Sequence, residues 1–396
     1  MVAQCKLVAK MESRVISRSG TNVSLGKARM RQNYRTVAFV VFALCGINPA
    51  LPQTGEQLET VVAANRQMNG VAAAPDGRVF VGMPRWVQVD SFSVGVVKDG
   101  SVQPYPGGSW NLWREGLAPG EHFIAVNAVR IEPGDPRSLW VVDAAAGVKG
   151  GPKLVQIDLA MNKVSRVYSF GPDIAPEKSY LNDVRIARGH AFITESGMGA
   201  LIVVDLTTGR ARRLLAQSTK TKAVTGRSPV IDGRKVLRPD GTIPIVNADG
   251  IEISPDHAWL YFCNPYGGSL WQVSVDDLLN EKLDESTLDR RVKNAGELIP
   301  VGGILMLPDG DLLLSDVEKH AIELRTQDGK LTMLRQSKLL DWPDAMSLGA
   351  DGKVYVAAAQ ANRRPASNGG KDDTHLPFRI LSFSLPKLPK STGAQR

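Results

Sequence analysis

The stretch NGVAAAPDGRVFV, residues 69–81, decides the fold. A small polar residue opens it, an apolar run follows, and Pro75-Asp76-Gly77 then reverses the chain into a second apolar run. Proline presets φ and glycine accepts a positive φ, so Pro-Asp-Gly marks a tight turn between two strands. Five further stretches share the plan: NAVRIEPGDPRSLWVV from Asn127, NDVRIARGHAFIT from Asn182, DGIEISPDHAWLYF from Asp249, GGILMLPDGDLLLS from Gly302 and DAMSLGADGKVYV from Asp344. In each, a turn former stands seven residues after the opening residue: Asp76, Gly134, Gly189, Asp256, Asp309 and Asp351. The opening residues are spaced by 58, 55, 67, 53 and 42 positions. That spacing is too long for one hairpin and fits one four-stranded sheet per repeat.

Further strand pairs lie between the copies. LVQIDLAMNKVSRVYSF from Leu154, LIVVDLTTGRARRLL from Leu201 and AIELRTQDGKLTML from Ala321 each cross a polar turn. One repeat is therefore two consecutive hairpins. Six repeats without long intervening helices predict an all-β chain, a six-bladed β-propeller with four-stranded antiparallel blades. The propeller is placed on residues 55–387, followed by a polar tail at 388–396. A late strand near 379–384 should close the ring by pairing with the other end of the domain. One helix is expected over 275–292, where Leu278, Leu279, Leu283, Leu288 and Val292 are apolar, as a cover after the fourth blade.

Residues 1–50 read as a leader. Residues 1–36 hold eight basic groups and one acid, leaving a net charge of only about +1 on the rest of a chain whose total is +8. A nucleic-acid binder carries its basic excess on the folded domain, so no nucleic-acid partner is expected. The apolar run at 37–47 follows Arg31 and Arg35 and precedes Pro49 and Pro52. This is the pattern of a secretory signal, and the run is too short to span a bilayer comfortably. The expectation is a secreted or periplasmic protein with no stable membrane span once the leader is removed. Of three cysteines, Cys5 and Cys45 fall in the leader. Cys263 alone remains, in an apolar run, as an inert buried thiol with no intramolecular disulfide to form.

Several motifs resemble the yellow/major royal jelly protein family. They include Phe80-Val81-Gly82-Met83-Pro84-Arg85-Trp86, Pro104-Tyr105-Pro106 with Trp110-Asn111, and Leu139-Trp140-Val141-Val142-Asp143. Tyr180-Leu181-Asn182-Asp183-Val184, Ile193-Thr194-Glu195-Ser196-Gly197, Ala248-Asp249-Gly250-Ile251 and Trp342-Pro343-Asp344 continue the series in order. The resemblance implies a secreted six-bladed propeller, in a family that includes binders of small aromatic amines and proteins linked to melanin-pathway chemistry. A more distant similarity is to the gluconolactonase/senescence-marker propellers.

The residue opening each innermost strand of a propeller faces the channel mouth. Asn69, Asn127, Asn182, Asp249, Gly302 and Asp344 should therefore form a ring, with Asp183 beside it. Two readings follow: polar caps satisfying strand ends, or a binding site for a small polar or cationic ligand, such as an aromatic amine. No cofactor is required; Ca²⁺ is the metal such an oxygen-rich ring would suit, with Asn182 and Asp249 as its ligands. The alternative function is a metal-dependent lactone hydrolase. Similarity to the gluconolactonase family would put that family's metal-binding Glu at Asn69, its Asn at Asp249 and its Asp, also the proposed base, at Gly302, while Asn182-Asp183 matches its Asn-Asp pair. Glycine can neither bind a metal nor move a proton, which favours binding over hydrolysis. The five histidines show no metal-ligand spacing. Residues 209–240 carry nine basic groups against Asp232 and Asp240. They read either as a solvated insertion or as a lid drawing acidic ligands.

Overall fold

The computed structural model describes residues 58–86 and 92–386. The leader, the tail and the outermost residues of the expected propeller lie outside them. Six four-stranded antiparallel sheets form the propeller. Blade 1 runs Gly70–Ala73, Val79–Gly82, Val94–Lys98 and Ser101–Pro104. Blade 2 runs Val126–Glu132, Asp135–Asp143, Lys153–Asp158 and Lys163–Ser169. Blade 3 follows with Leu181–Ala187, His190–Glu195, Ala200–Asp205 and Ala211–Leu214. Blade 4 holds Gly250–Ile253, Trp259–Cys263, Gly268–Ser274 and Lys293–Leu298. Blade 5 holds Val301–Met306, Leu312–Asp316, Ala321–Arg325 and Leu331–Gln336. Blade 6 takes Pro343–Leu348, Lys353–Ala358 and Phe378–Ser384 from the end of the chain. Its outer strand, Glu59–Ala64, comes from the beginning and pairs antiparallel with Phe378–Ser384. The ring is thus closed by hydrogen bonds between the two ends of the domain, as the sequence predicts.

Alternation within each strand sends side chains into the seams on both sides of a blade. Ala72 and Phe80 pack with Leu139 and Val155 of blade 2, whereas Val71, Val79 and Val81 pack with Phe378 and Ile380 of blade 6. Equivalent apolar clusters fill the seams between blades 2 and 3, 3 and 4, 4 and 5, and 5 and 6. Each buried Val, Leu, Ile or Phe contributes about 1.5–3 kcal/mol, so the six seams can stabilise a domain without disulfides. Cys263 is buried in the seam between blades 4 and 5, where burial pushes its thiol well above the usual range. It is the inert thiol expected.

The helical segment differs from expectation. Two short helices, Val275–Leu279 and Glu285–Arg291, replace the single one, and they lie inside blade 4, between its third and fourth strands. Asn280 ends the first, and the Asp284 side chain caps the second by accepting from Thr287 N at 2.7 Å. Among the described residues no helix is long and apolar enough to cross a membrane.

The basic segment is also resolved into structure. Ile231 and Val236 are buried with Tyr266, Val317, Trp342, Ala359 and Ala361 in a seventh apolar cluster. Backbone bonds from Leu237 N to Ser367 O (3.1 Å) and from Gly369 N to Leu237 O (2.9 Å) tie the segment to the insertion of blade 6. Four of its nine cations form ion pairs: Arg213 with Glu195, Lys220 with Asp289, Arg234 with Asp373 and Arg210 with Glu281. The cations that pair in this way serve the fold. The segment therefore has packed structure rather than forming a solvated loop.

Candidate functional site

The six column residues do come together: all of them border both a cavity above the ring and a smaller one below it. In four blades the pairing register slips at the column: Val126/Ala128, Leu181/Val184, Val301/Ile304 and Pro343/Met346. Such irregularities re-aim side chains and leave backbone groups unpaired. Side chains of the second strands answer them. Ser315 Oγ accepts from Gly303 N at 2.7 Å and donates to Gly303 O at 3.0 Å. Thr194 Oγ1 accepts from Asp183 N at 3.4 Å and donates across to Asp249 O of the next blade at 2.6 Å.

Below the ring the channel is plugged. Arg185, 2% exposed, donates to Asp183 Oδ2 at 2.8 Å and to Glu252 Oε1 at 2.7 Å, and Arg130 donates to Glu132 at 3.1 Å. The space left there is about 30 Å³, on the scale of a water. Asp183, expected beside the ligand, is consumed by this plug and borders only the lower space. The upper cavity, about 370 Å³, is therefore blind at its floor.

A directed series of hydrogen bonds runs around the floor. Trp86 Nε1 donates to Tyr180 Oη (2.8 Å), which donates to Asn127 Oδ1 (3.1 Å). Asn127 Nδ2 donates to the backbone and side-chain oxygens of Asn182 (3.0 and 3.2 Å), and Asn182 Nδ2 donates to Asp249 Oδ2 at 2.7 Å. The series ends on the Asp249 carboxyl, and every link donates in the same direction. Across the floor, Trp342 Nε1 donates to Asp344 Oδ2 at 3.0 Å. Burial, then the nearby Asp344 and Asp183, hold Asp249 well above the usual carboxyl range, with the Asn182 bond opposing them. Burial raises Asp344 to about 7, against the pull of Trp342 and Arg364. Asn69 Oδ1 is buried without a hydrogen-bond partner.

Sequence reasoning missed the walls. Trp86, Tyr180, Tyr266 and Trp342 line the cavity, with Arg364, Ser196 and Ser367. Tyr180 and Trp342 each stand two residues before a column residue, so the repeat itself held that signal. Tyr266 and Arg364 lie on connections outside the repeat, where no periodic signal exists. Glu195 anchors one wall by accepting from the backbone N of Tyr180, Gly197 and Met198 at 2.8, 2.7 and 2.9 Å.

The donor set does not suit Ca²⁺, which wants six to eight oxygens. Asn182 turns its amide nitrogen toward Asp249, and Asp344 is held by Trp342. No group of three or more His, Cys, Asp or Glu able to hold a metal occurs among the described residues. At Gly302 a Cβ would stand 2.1 Å from Pro343 O and 3.1 Å from Asp344 Cα. The backbone of blade 6 fills the place a catalytic carboxylate would need.

The sequence profile of the major royal jelly protein family matches residues 126–393. The chain belongs to this family. No curated protein matches it. Among solved structures it is similar to a gluconolactonase from Xanthomonas campestris, at 11% identity, with 83% of this chain and 89% of that one covered and a TM-score of 0.50. It is also similar to the calcium-binding protein regucalcin from Agrobacterium tumefaciens (13% identity, 82% and 93% covered, TM-score 0.48). A virginiamycin B lyase from Staphylococcus aureus is a third (13% identity, 76% and 80% covered, TM-score 0.43). At such identities the likeness concerns the fold alone. For this royal jelly family member, the site must be read from its own residues.

Proposed function

We propose that this family member is an exported protein that binds a small aromatic amine, or a similar organic cation, at the channel mouth. The observation that carries the reading is one cavity with aromatic walls, Trp86, Tyr180, Tyr266 and Trp342, above two carboxylates, Asp249 and Asp344. An ammonium gains from aromatic faces and from charge-assisted bonds to carboxylates. A ring buried against the walls adds apolar area. The volume falls within the range of small-molecule pockets. Burial raises both carboxyls above the usual range, and Asp344 adds to the shift at Asp249, so a bound ammonium favours their ionised forms. The lactone-hydrolase alternative gains no support at Gly302, and a lactone assay with and without Ca²⁺ should show no turnover.

Trp86 and Trp342 make the test direct. A panel of aromatic amines should include one that changes tryptophan emission saturably. A flat response across the panel, together with no heat of binding, would refute the reading. Export rests on the leader. Fractionation should recover a shortened protein outside the cytoplasm, and full-length chain confined to the cytoplasm would contradict it.

A further inference from the structure

We propose that the ligand is a zwitterion, an aromatic amine that also bears a carboxylate, and that Arg364 is the residue that receives that carboxylate. The inference rests on the binding reading above and specifies the ligand class.

Arg364 lines the same cavity as Asp249 and Asp344. Its guanidinium lies 3.8 Å from the centroid of the Trp86 ring. Stacking occupies the face of the guanidinium and leaves its N–H donors in the plane, free to take a carboxylate bidentately. Yet among the described residues no side chain or backbone oxygen takes them. Among the described residues no carboxylate stands within ion-pair distance of Arg364, and its Nε is buried without a partner. The preceding residue shows the contrast. Arg363 reaches Asp341, Asp373 at 3.3 Å and Asp232 at 3.8 Å. Acids are thus abundant around this loop, and Arg364 is turned away from them into the cavity.

The obvious internal partner is also withheld. Asp344 lines the same space and acts on Arg364 electrostatically, but Trp342 holds its Oδ2 and no ion pair closes. Cation and carboxylates thus border one cavity without meeting, with aromatic faces around them. A simple amine would compensate the floor and leave Arg364 unpaired beside a second cation. A simple carboxylate would compensate Arg364 and crowd two acids. An aromatic amino acid satisfies both ends and places its ring against the walls.

The test is calorimetric titration of the full chain with three probes on one ring: tryptophan, tryptamine and indolepropionate. The wild type should bind tryptophan at least about tenfold tighter than tryptamine, the scale of one hydrogen bond to a charged group. In Arg364→Gln the ratio of tryptophan to tryptamine affinity should fall to about one. A wild type that binds tryptamine as tightly as tryptophan overturns this inference and leaves the binding reading standing. So does an Arg364→Gln variant that keeps the preference. If none of the three probes binds, this inference falls, and the panel of aromatic amines decides separately whether the binding reading falls with it. The wild-type comparison decides the matter even where the variant fails to fold.

Discussion

Asp344 and Gly302 show how much one position can decide. Burial raises the Asp344 carboxyl from an ordinary 3.8 to about 7. The folded chain therefore keeps a proton that the unfolded chain releases. Its contribution to stability is whole below about pH 4, declines as pH rises toward 7, and is level above. Asp249 shifts in the same direction. Melting curves of the empty protein should fall across this window, and Asp344→Asn should flatten the fall; an unchanged slope would count against the buried acid. At Gly302 the constraint is steric. Even Gly302→Ala drives a Cβ toward Pro343 O, and the cost should be about 1–3 kcal/mol or more, the scale of overpacking, read as a lowered urea midpoint. The column of polar residues at constant offset was legible in the sequence, because strand openings recur at fixed distance from a turn. The identity of the wall residues was not. Tyr266 and Arg364 reach the cavity from connections whose path depends on tertiary packing.

At the scale of elements, the hairpins and the closure were legible and the insertions were not. Turn chemistry at Asp76-Gly77, Asp309-Gly310 and Asp351-Gly352 acts locally, so the sequence carries it. The 275–292 helix failed because Asn280 and Asp284 favour a stop and a cap over continuation. The strand Glu59–Ala64 covers the edge of Phe378–Ser384. Removing it should expose that edge, lower the melting temperature and promote association; a truncated chain that melts unchanged would show the closure to be dispensable. The motif ending in Asp143 gains its meaning from structure. Asp143 is fully buried and accepts from Lys153 Nζ at 2.7 Å and from the backbone N of Ile124, Ala125 and Ala145 at 2.8, 2.9 and 3.0 Å. Asp143→Ala strands a buried cation and three backbone donors. It should cost about 3–5 kcal/mol, measured by chemical denaturation.

The whole molecule converts a sixfold repeat into one asymmetric site. Six equivalent strand openings meet at the axis, and departures from the repeat make the chemistry: carboxylates in blades 4 and 6, glycine in blade 5, and lining residues from two insertions, Ile245 and Val246 from one and Arg364 and Ser367 from the other. The salt-bridged plug below turns a channel into a blind pocket. The central claim is that the floor carboxylates bind a cation there. Calorimetric titration of wild type and Asp249→Asn with aromatic amines tests it most directly. The asparagine keeps an acceptor for Asn182 Nδ2 and mimics the neutral acid, so the fold should be retained. The account predicts that the variant loses about 1.5–3 kcal/mol of affinity, and that binding tightens more with rising pH in the wild type, where Asp249 ionises as well as Asp344, than in the variant, which keeps only Asp344. Equal affinity of the two proteins for an amine bound in this cavity would contradict it and leave Asp249 as no more than a strand cap.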